Sequence, residues 1–181
     1  MSEKLIIFKQ LFKFKMKKIL LTLMILQAYY ACNSMTLNSS PSLHFNKNFD
    51  IKTNTLLTQT FDIVAKDLGL DTSNITINIC DLLETDNVDM KSMGRTKDLG
   101  NNSYNIYMRT DIFKEDKIRI LIHELVHVSQ SVKGDLVMRT TFAWWKGTII
   151  KSNVPYDKRE YEIEAMDKTD ELYNKYKNEL K

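Results

Sequence analysis

Residues 116–132, DKIRILIHELVHVSQSV, decide the fold of this 181-residue chain. The stretch has an acidic start and Gly134 follows shortly after its end, so its pattern predicts a helix. At 100° per residue its apolar side chains form one stripe, which consists of Ile118, Leu121, Leu125, Val128 and Val132. His123 and His127 lie together on the opposite side, near Gln130. The helix therefore presents two imidazoles away from its predicted core face.

The two histidines belong to the motif HExxH, which is formed by His123, Glu124 and His127. Histidines four positions apart on a helix can direct two imidazole nitrogens at one tetrahedral Zn²⁺, and the Glu between them lies beside the remaining coordination position. A chance occurrence is disfavoured because the chain has only three His. A purely structural role, in which both histidines are hydrogen-bonded within the core, is disfavoured because neither residue lies on the apolar stripe. The motif therefore predicts a metal site.

The candidates for the third metal ligand can be narrowed by elimination. An extended HExxHxxGxxH motif would need Gly at position 130 and His at position 133, but the chain has Gln130 and Lys133 there. The remaining histidine, His44, falls in a segment that we interpret as a tether, so a carboxylate is the better candidate. A helix is predicted over residues 157–177, after Pro155, and its first turns contain three glutamates.

Helical geometry separates these three glutamates. Glu162 lies in the middle of an inward stripe, whose other members are Ala165, Met166, Thr169, Leu172, Tyr173 and Tyr176. Glu160 and Glu164 project about 160° away, and their simplest interpretation is a solvated face. A carboxylate on an apolar stripe needs a partner because its desolvation is costly, and a cation held by the two histidines would be that partner. Glu162 is the predicted third ligand, with Glu160 or Glu164 as the fallback.

Other elements of the domain can also be predicted from the pattern. Residues 53–68 carry apolar side chains at helical spacing, with Gly69 as the C-terminal stop. Residues 75–80 alternate with period two and are rich in β-branched side chains, which predicts a strand with one buried face. Residues 93–97 and 104–109 flank the turn-like sequence GNNS and predict a hairpin.

The N-terminus is interpreted as a targeting segment. Residues 1–18 contain six Lys and one Glu, a balance of +5, which leaves 20 basic and 22 acidic residues, a balance of −2, in the rest of the chain. Residues 19–32 are uncharged and too few to span a bilayer, so a removed signal is favoured over a transmembrane helix. Ala31 and Cys32 at its end resemble a bacterial lipoprotein signal, in which the Cys is lipidated. Met16 is an alternative start that opens a cleaner signal.

These features set the expectations for domains, location and partners. We predict a signal over residues 1–32, a tether over residues 33–52 and one domain over residues 53–181. We expect a protein of the bacterial cell envelope that is lipid-anchored at Cys32 or secreted, and whose N-terminal segment contacts the membrane. Because the domain has no basic surplus, no nucleic-acid partner is expected, and we expect a monomer. No CxxC spacing is present, so the cysteines do not indicate a metal site.

HELVH followed by Glu-x-x-Ala on a second helix resembles the gluzincin metallopeptidases. The stretch from Trp145 to Ala165 is similar to small bacterial HExxH proteins with a Trp-x-Gly and then a Glu-x-Glu-Ala pattern, and the likeness covers about residues 104–170. It implies an α+β, zincin-like fold, in which a small antiparallel sheet packs on the motif helix and a second, C-terminal helix carries a ligand. Residues 104–108 would be the edge strand that pairs with an extended peptide. Trp144 and Trp145 could line the cleft wall or anchor the core between the two ligand helices.

Two departures from the family pattern concern the surroundings of the metal. Many gluzincins have an Asp one residue after the Ala, and this Asp supports the metal-binding histidines. This chain has Met166 at that position, so it lacks the corresponding carboxylate. No downstream His is present to stabilise an oxyanion. Tyr156, Tyr161 and Arg159 are therefore the candidates for polarising a substrate carbonyl.

The resemblance implies a zinc-dependent metallopeptidase that acts on a peptide or protein substrate. Zn²⁺ would be bound by His123, His127 and Glu162, and Glu124 would be the base that activates water. Two alternatives are open from the sequence. A cytosolic regulatory peptidase is favoured if the N-terminus is not a signal, and a non-catalytic envelope lipoprotein is favoured if the zinc only joins two helices.

Overall fold

The computed structural model describes residues 41–45, 49–70, 74–82 and 93–180. Within these residues the fold is α+β, with seven strands in two small sheets and three α-helices. The predicted signal segment, Cys32 and the first part of the predicted tether lie outside the described residues. None of the helices in this described part of the chain is long and apolar enough to cross a membrane.

The first helix, α1, spans Ile51–Leu68 and confirms the helix predicted from residue 53. It begins two residues earlier because the Asp50 carboxylate accepts a hydrogen bond from the Thr53 backbone N–H at 2.9 Å and so caps the helix. It ends at Gly69, whose φ of 71° is a left-handed conformation that glycine adopts without strain. Its buried face, which includes the fully buried Leu57, belongs to the main hydrophobic core.

The main sheet contains four strands: β1 (Ser42–Phe45), β2 (Thr76–Asp81), β3 (Gly94–Gly100) and β4 (Ser103–Met108). Their order is β1-β2-β4-β3, with β1, β2 and β4 parallel and β3 antiparallel to β4. The sheet is therefore mixed, where a small antiparallel sheet was predicted, because α1 connects β1 to β2 as a crossover that returns the chain in the same direction. The residues of β1 were assigned to the tether, whereas the structure places them in the sheet.

The edge strand was predicted wrongly. Residues 104–108 belong to β4, which pairs with β2 on one side and with β3 on the other. Their alternating side chains Tyr104, Ile106 and Met108 are buried in the core. The edge strand beside β4 is β3, whose sequence GRTKDLG is polar and mostly exposed. Charged side chains are typical of strands that remain at an edge.

The motif helix, α2, spans Lys114–Val132 and begins two residues before the predicted start. It packs against β3, β4, α1 and the C-terminal helix, so its burial extends beyond the predicted stripe. Leu121 on the stripe is fully buried, whereas Val132 at its end is 37% exposed. The side that carries the motif is buried as well, with Glu124 5% and Gln130 2% exposed. The HExxH residues therefore face an interior surface of the protein.

A second sheet, which the sequence did not predict, follows α2 in the chain. It contains β5 (Leu136–Met138), β6 (Phe142–Trp145) and β7 (Thr148–Lys151), which pair in antiparallel fashion. Strands of three or four residues are too short for a period-two pattern to stand out. Trp145 is 3% exposed and packs on Tyr161 with ring centroids 6.2 Å apart, so it is a core anchor, whereas Trp144 is 43% exposed.

The C-terminal helix follows a single turn of 3-10 helix at Tyr156–Lys158. The helix itself, α3, spans Glu160–Tyr176, whereas the sequence predicted one helix over residues 157–177. Arg159 interrupts the two because its backbone is extended, with ψ at 118°. α3 packs along α2, and this places the first turn of α3 beside the HExxH motif.

Candidate metal centre

His123, His127 and Glu162 converge from two helices. The histidines lie one turn apart on α2, and Glu162 lies in the first turn of α3. His127 is 9% exposed and Glu162 is 8% exposed, so both are taken out of bulk solvent. Ala165, almost one turn after Glu162, is fully buried, and its small side chain lets the two helices approach closely. The structure thus brings together the three residues that the sequence predicted as metal ligands.

The ligand atoms of these three residues form a nearly equilateral triangle. His127 Nε2 lies 3.2 Å from His123 Nε2 and 3.2 Å from Glu162 Oε2, and His123 Nε2 lies 3.4 Å from the same oxygen. Metal bonds of about 2.0–2.2 Å in tetrahedral geometry would place neighbouring ligand atoms about 3.3–3.6 Å apart. The observed spacing matches three corners of such a tetrahedron. The group could therefore hold a metal ion.

Burial and hydrogen bonding shift the pKa values within the triangle. Burial opposes ionisation of Glu162, but hydrogen bonds from His123 and His127 outweigh it and lower the pKa of the carboxyl. Burial likewise opposes protonation of His127, but the Glu162 carboxylate raises the pKa of the imidazole. Both shifts express one attraction between a carboxylate and a positive charge. Binding of a divalent cation at this position would displace the imidazole proton, as metal binding to histidine generally does.

Glu124 lies beside the triangle and is held by the edge strand. Its side chain is buried, and Thr96 of β3 donates a hydrogen bond to Glu124 Oε2 at 2.8 Å. Burial raises the pKa of the Glu124 carboxyl, although the charges of His127 and His123 act in the opposite direction. A buried carboxyl with a raised pKa is suited to accept a proton and to return it.

Gly94 allows β3 to approach Glu124 closely. A Cβ atom at position 94 would lie 2.7 Å from Glu124 Oε1 and 2.6 Å from Ile120 Cγ2, well inside van der Waals contact. The backbone of β3 therefore passes the carboxylate at a distance that a side chain would not permit. Thr96 lies two residues further along the same strand and donates its hydrogen bond from the same face.

The triangle and Glu124 open into a cleft of about 960 Å³. One wall of the cleft is β3, and β5 contributes to another. Arg109 N donates to Met93 O at 3.1 Å, and from this pair the alternation of an antiparallel ladder turns the backbone groups of Thr96 and Asp98 away from β4. The edge of β3 thus directs backbone donors and acceptors outward, where an extended chain can pair with them.

Tyr156 is the carbonyl-polarising candidate that lies next to the ligands. Its hydroxyl oxygen is 3.3 Å from His123 Nε2, and its ring lines the cleft. Burial and the Glu162 carboxylate raise the pKa of the Tyr156 hydroxyl, so that it keeps its proton. A protonated hydroxyl at this position can donate a hydrogen bond to a group bound in the cleft.

The other two candidates have different surroundings. Tyr161 is 3% exposed and packs between Trp145 and His127, with ring centroids 6.2 and 6.1 Å away. Arg159 donates hydrogen bonds to the backbone carbonyls of Val154 and Ser152 at 3.0 and 3.1 Å. Tyr161 therefore acts mainly as packing behind His127, and Arg159 fixes the loop that leads to α3.

The fallback ligands do not reach the histidines. Glu160 is exposed. Glu164 accepts hydrogen bonds from Lys146 Nζ at 2.5 Å and from Gln130 Nε2 at 3.3 Å. His44 is exposed on β1, which lies at the opposite edge of the main sheet from β3. The structure thus separates these three residues from the triangle.

Three residues that support the site were not predicted as parts of it. Gly94 and Thr96 belong to a strand about 30 residues before the motif, and no local pattern connects them to it. Gln130 does have a signal, because it lies three positions after His127 on the same helix face, and its Oε1 is 2.8 Å from His127 Nδ1. Met166, directly after the buried Ala165, is 39% exposed. No known protein family, curated protein or solved structure matches the chain.

Proposed function

We propose that this protein is a zinc-dependent metallopeptidase. The observation that carries the proposal is the convergence of two imidazole nitrogens and one carboxylate oxygen, 3.2–3.4 Å apart, beside a buried glutamate. A metal that only joined two helices would need no neighbouring base and no adjoining cleft. This chain has both, which favours catalysis over a purely structural role.

The proposed metal is Zn²⁺, bound by His123, His127 and Glu162. Two imidazoles with one carboxylate are typical of a catalytic zinc site, which uses three protein ligands and keeps a fourth position for water or substrate. When bound there, zinc supplies Lewis-acid polarisation of a carbonyl and acidification of a water molecule. The cleft of about 960 Å³ on the open side of the triangle gives both a peptide and water access to that position.

Glu124 is the proposed general base and acid. Its carboxylate takes a proton from the attacking water and then passes it to the leaving amine. The hydrogen bond from Thr96 at 2.8 Å and the close backbone at Gly94 hold one orientation of the carboxylate. That orientation matters because a misplacement of about 1 Å can reduce a rate about 100-fold.

The proposed substrate is an extended segment of a peptide or protein. It would pair with the outward backbone groups of Thr96 and Asp98 on β3, a mode of binding that requires no particular side chains. The Tyr156 hydroxyl would donate a hydrogen bond to the carbonyl oxygen that becomes negatively charged. The substrate would thus lie between β3 and the start of α3, across the ligand triangle.

The proposed location follows from the N-terminal sequence alone. Six lysines followed by 14 uncharged residues that end at Cys32 favour export, with lipidation of that cysteine or secretion. An envelope or extracellular peptidase would meet proteins in an unfolded or partly folded state, which fits a site that binds extended chain. Mass spectrometry of the N-terminus of the mature protein tests this proposal, and an intact, unmodified N-terminus at Met1 or Met16 would contradict it.

The experiment measures zinc content and peptide cleavage on the full-length protein. We expect about one zinc per chain and cleavage of a quenched-fluorescence peptide library, with the activity lost on chelation and restored by zinc. Glu124→Gln keeps the size of the side chain and should retain zinc while reducing the rate about 100- to 10,000-fold. Glu162→Ala is the complementary variant and should lose zinc as well as activity.

Two results would contradict the proposal. One is a folded wild-type protein that binds no zinc. The other is a Glu124→Gln variant that cleaves peptides at the wild-type rate, because the site would then have another base or the activity would come from a contaminant.

A further inference from the structure

Gln130 links the two ligand helices by hydrogen bonds of a buried amide. It lies on α2 three residues after His127 and is 2% exposed. Its Oε1 is 2.8 Å from His127 Nδ1, and its Nε2 is 3.0 Å from the Tyr161 carbonyl oxygen and 3.3 Å from Glu164 Oε1. Both ends of the amide thus have partners, as burial requires.

These partners determine which way the amide of Gln130 points. The Tyr161 carbonyl and the Glu164 carboxylate are both acceptors, so the amide atom that contacts them must be the NH₂ group. Glu164 is kept in place from the other side by Lys146, whose Nζ lies 2.5 Å from Glu164 Oε2. The amide oxygen then faces His127. Because that oxygen can only accept, the imidazole must donate from Nδ1.

The consequence for His127 is a defined tautomer. A neutral imidazole carries one N–H, and with that proton on Nδ1 the lone pair available to a metal is on Nε2. His127 Nε2 is the atom that lies 3.2 Å from both His123 Nε2 and Glu162 Oε2. The amide therefore favours the form of the ring whose free nitrogen faces the centre of the triangle, in opposition to the Glu162 carboxylate, which lies 3.2 Å from Nε2 and would accept a proton there.

We propose that Gln130 is a positioning residue of the metal centre: it holds His127 in the Nδ1–H form and ties it to the start of α3. The inference rests on the metal centre of the proposed function. Tyr161 directly precedes Glu162, so a single amide sets the spacing between a ligand on α2 and a ligand on α3.

The tautomer can be read by NMR on full-length, metal-free Glu162→Ala protein with ¹⁵N-labelled histidines, at a pH where the rings are neutral, because this variant lacks the carboxylate that competes for a proton on Nε2. With Gln130 intact in that protein, we expect the proton of His127 on Nδ1. Gln130→Met has a similar volume but no acceptor, and it should shift the ring toward the Nε2–H form. Gln130→Glu keeps an acceptor and should retain the Nδ1–H form. A residue that only filled space would not separate these two variants.

The zinc affinity of the Gln130 variants, measured with Glu162 intact, provides the second measurement. Loss of the partner of a ligand histidine typically lowers metal affinity about 10- to 100-fold, so we expect that decrease for Gln130→Met and a smaller one for Gln130→Glu. Gln59→Met on the exposed side of α1 is the matched control and should change neither quantity.

The proposal is overturned if His127 carries its proton on Nε2 in the Glu162→Ala protein with Gln130 intact, or if Gln130→Met changes neither the tautomer nor the zinc affinity. The tautomer is read without metal or substrate, so its result is separate from that of the peptidase assay. A protein in which Gln130 controls the tautomer supports the positioning role even if it cleaves no peptide, and that second result would refute only the proposed activity.

Discussion

Gly94→Ala tests whether the edge strand β3 positions the base of the proposed reaction. The added Cβ would meet Ile120 Cγ2 at 2.6 Å and Glu124 Oε1 at 2.7 Å. An ordinary van der Waals contact begins at 3.4 Å, so these atoms must move apart by about 0.7–0.8 Å. The contact with Ile120 requires β3 to shift away from α2, because Cγ2 is a branched methyl group close to the backbone. The contact with Glu124 can be relieved when the flexible end of that side chain turns out of its place.

The expected magnitudes differ for stability and for catalysis. Overpacking of this kind typically costs about 1–3 kcal/mol, and each kcal/mol lowers Tm by about 2–4 °C in a protein of this size. Turning Glu124 aside relieves only one of the two contacts, so we expect the middle of that range, about 2 kcal/mol, and a decrease of about 4–8 °C. That turn breaks the hydrogen bond from Thr96 and displaces the base by most of an ångström. The cleavage rate should therefore fall by at least about tenfold.

The assay combines thermal unfolding, zinc titration and peptide cleavage. Zinc affinity should be unchanged, because the Cβ contacts none of the three metal ligands. Gly69→Ala is the matched control: it forces a side chain into the left-handed conformation at φ 71°, with no atom within 4 Å of the new Cβ, and should lower Tm while leaving cleavage unchanged. If Gly94→Ala cleaves as fast as the wild type, β3 does not position Glu124 and the reasoning is wrong.

Two further predictions concern the cleft and the core. Tyr156→Phe removes the hydroxyl that lies 3.3 Å from His123 Nε2, and kcat should fall about 100- to 1,000-fold with zinc retained, whereas Tyr161→Phe should have little effect; equal rates for both would exclude Tyr156 from carbonyl polarisation. Leu57→Ala leaves a cavity at a fully buried position and should cost about 2–5 kcal/mol in the free energy of unfolding. Chemical denaturation checks this against Ile51→Ala, which is 84% exposed on the same helix and should stay within about 0.5 kcal/mol of the wild type.

The elements that could be predicted are those with a long periodic pattern or a clear stop. α1 and α2 have apolar repeats over more than four turns, and Gly69 marks the end of α1. β1 and the second sheet were missed because each of their strands has only three or four residues. Such short strands can be recognised only from their pairing with other strands in the structure. The strand order of the main sheet also could not be predicted from the sequence. Residues 104–108 have a clear period-two pattern, but such a pattern shows only that one face of the strand is buried and does not distinguish an inner strand from an edge strand.

The residues of the candidate site likewise include some that a local pattern predicts and others that depend on tertiary packing. His123, His127 and Glu162 could be predicted because helical periodicity alone puts the two imidazoles on one face and the carboxylate on an apolar stripe. The contacts of Gly94 and Thr96 with Glu124 depend on the packing of β3 against α2, which no local rule describes. The metal ligands could thus be predicted from the periodicity of two helices, whereas the residues that orient Glu124 could be identified only from the tertiary structure.

The charges of the centre favour a role in binding over a role in folding. Glu124 and Glu162 are both buried, and within the described residues the ion pairs of Glu162 are with the two histidines. Burying such pairs contributes little to stability, since apolar side chains of similar volume are often as stable or more so. A fold that only needed to join α2 to α3 would be served better by apolar contacts such as those of Ala165 and Leu172. A cation bound by His123, His127 and Glu162 would offset the cost of burying these charges, and this explains why the fold keeps them together. The exposed backbone edge of β3 forms one wall of the cleft beside them.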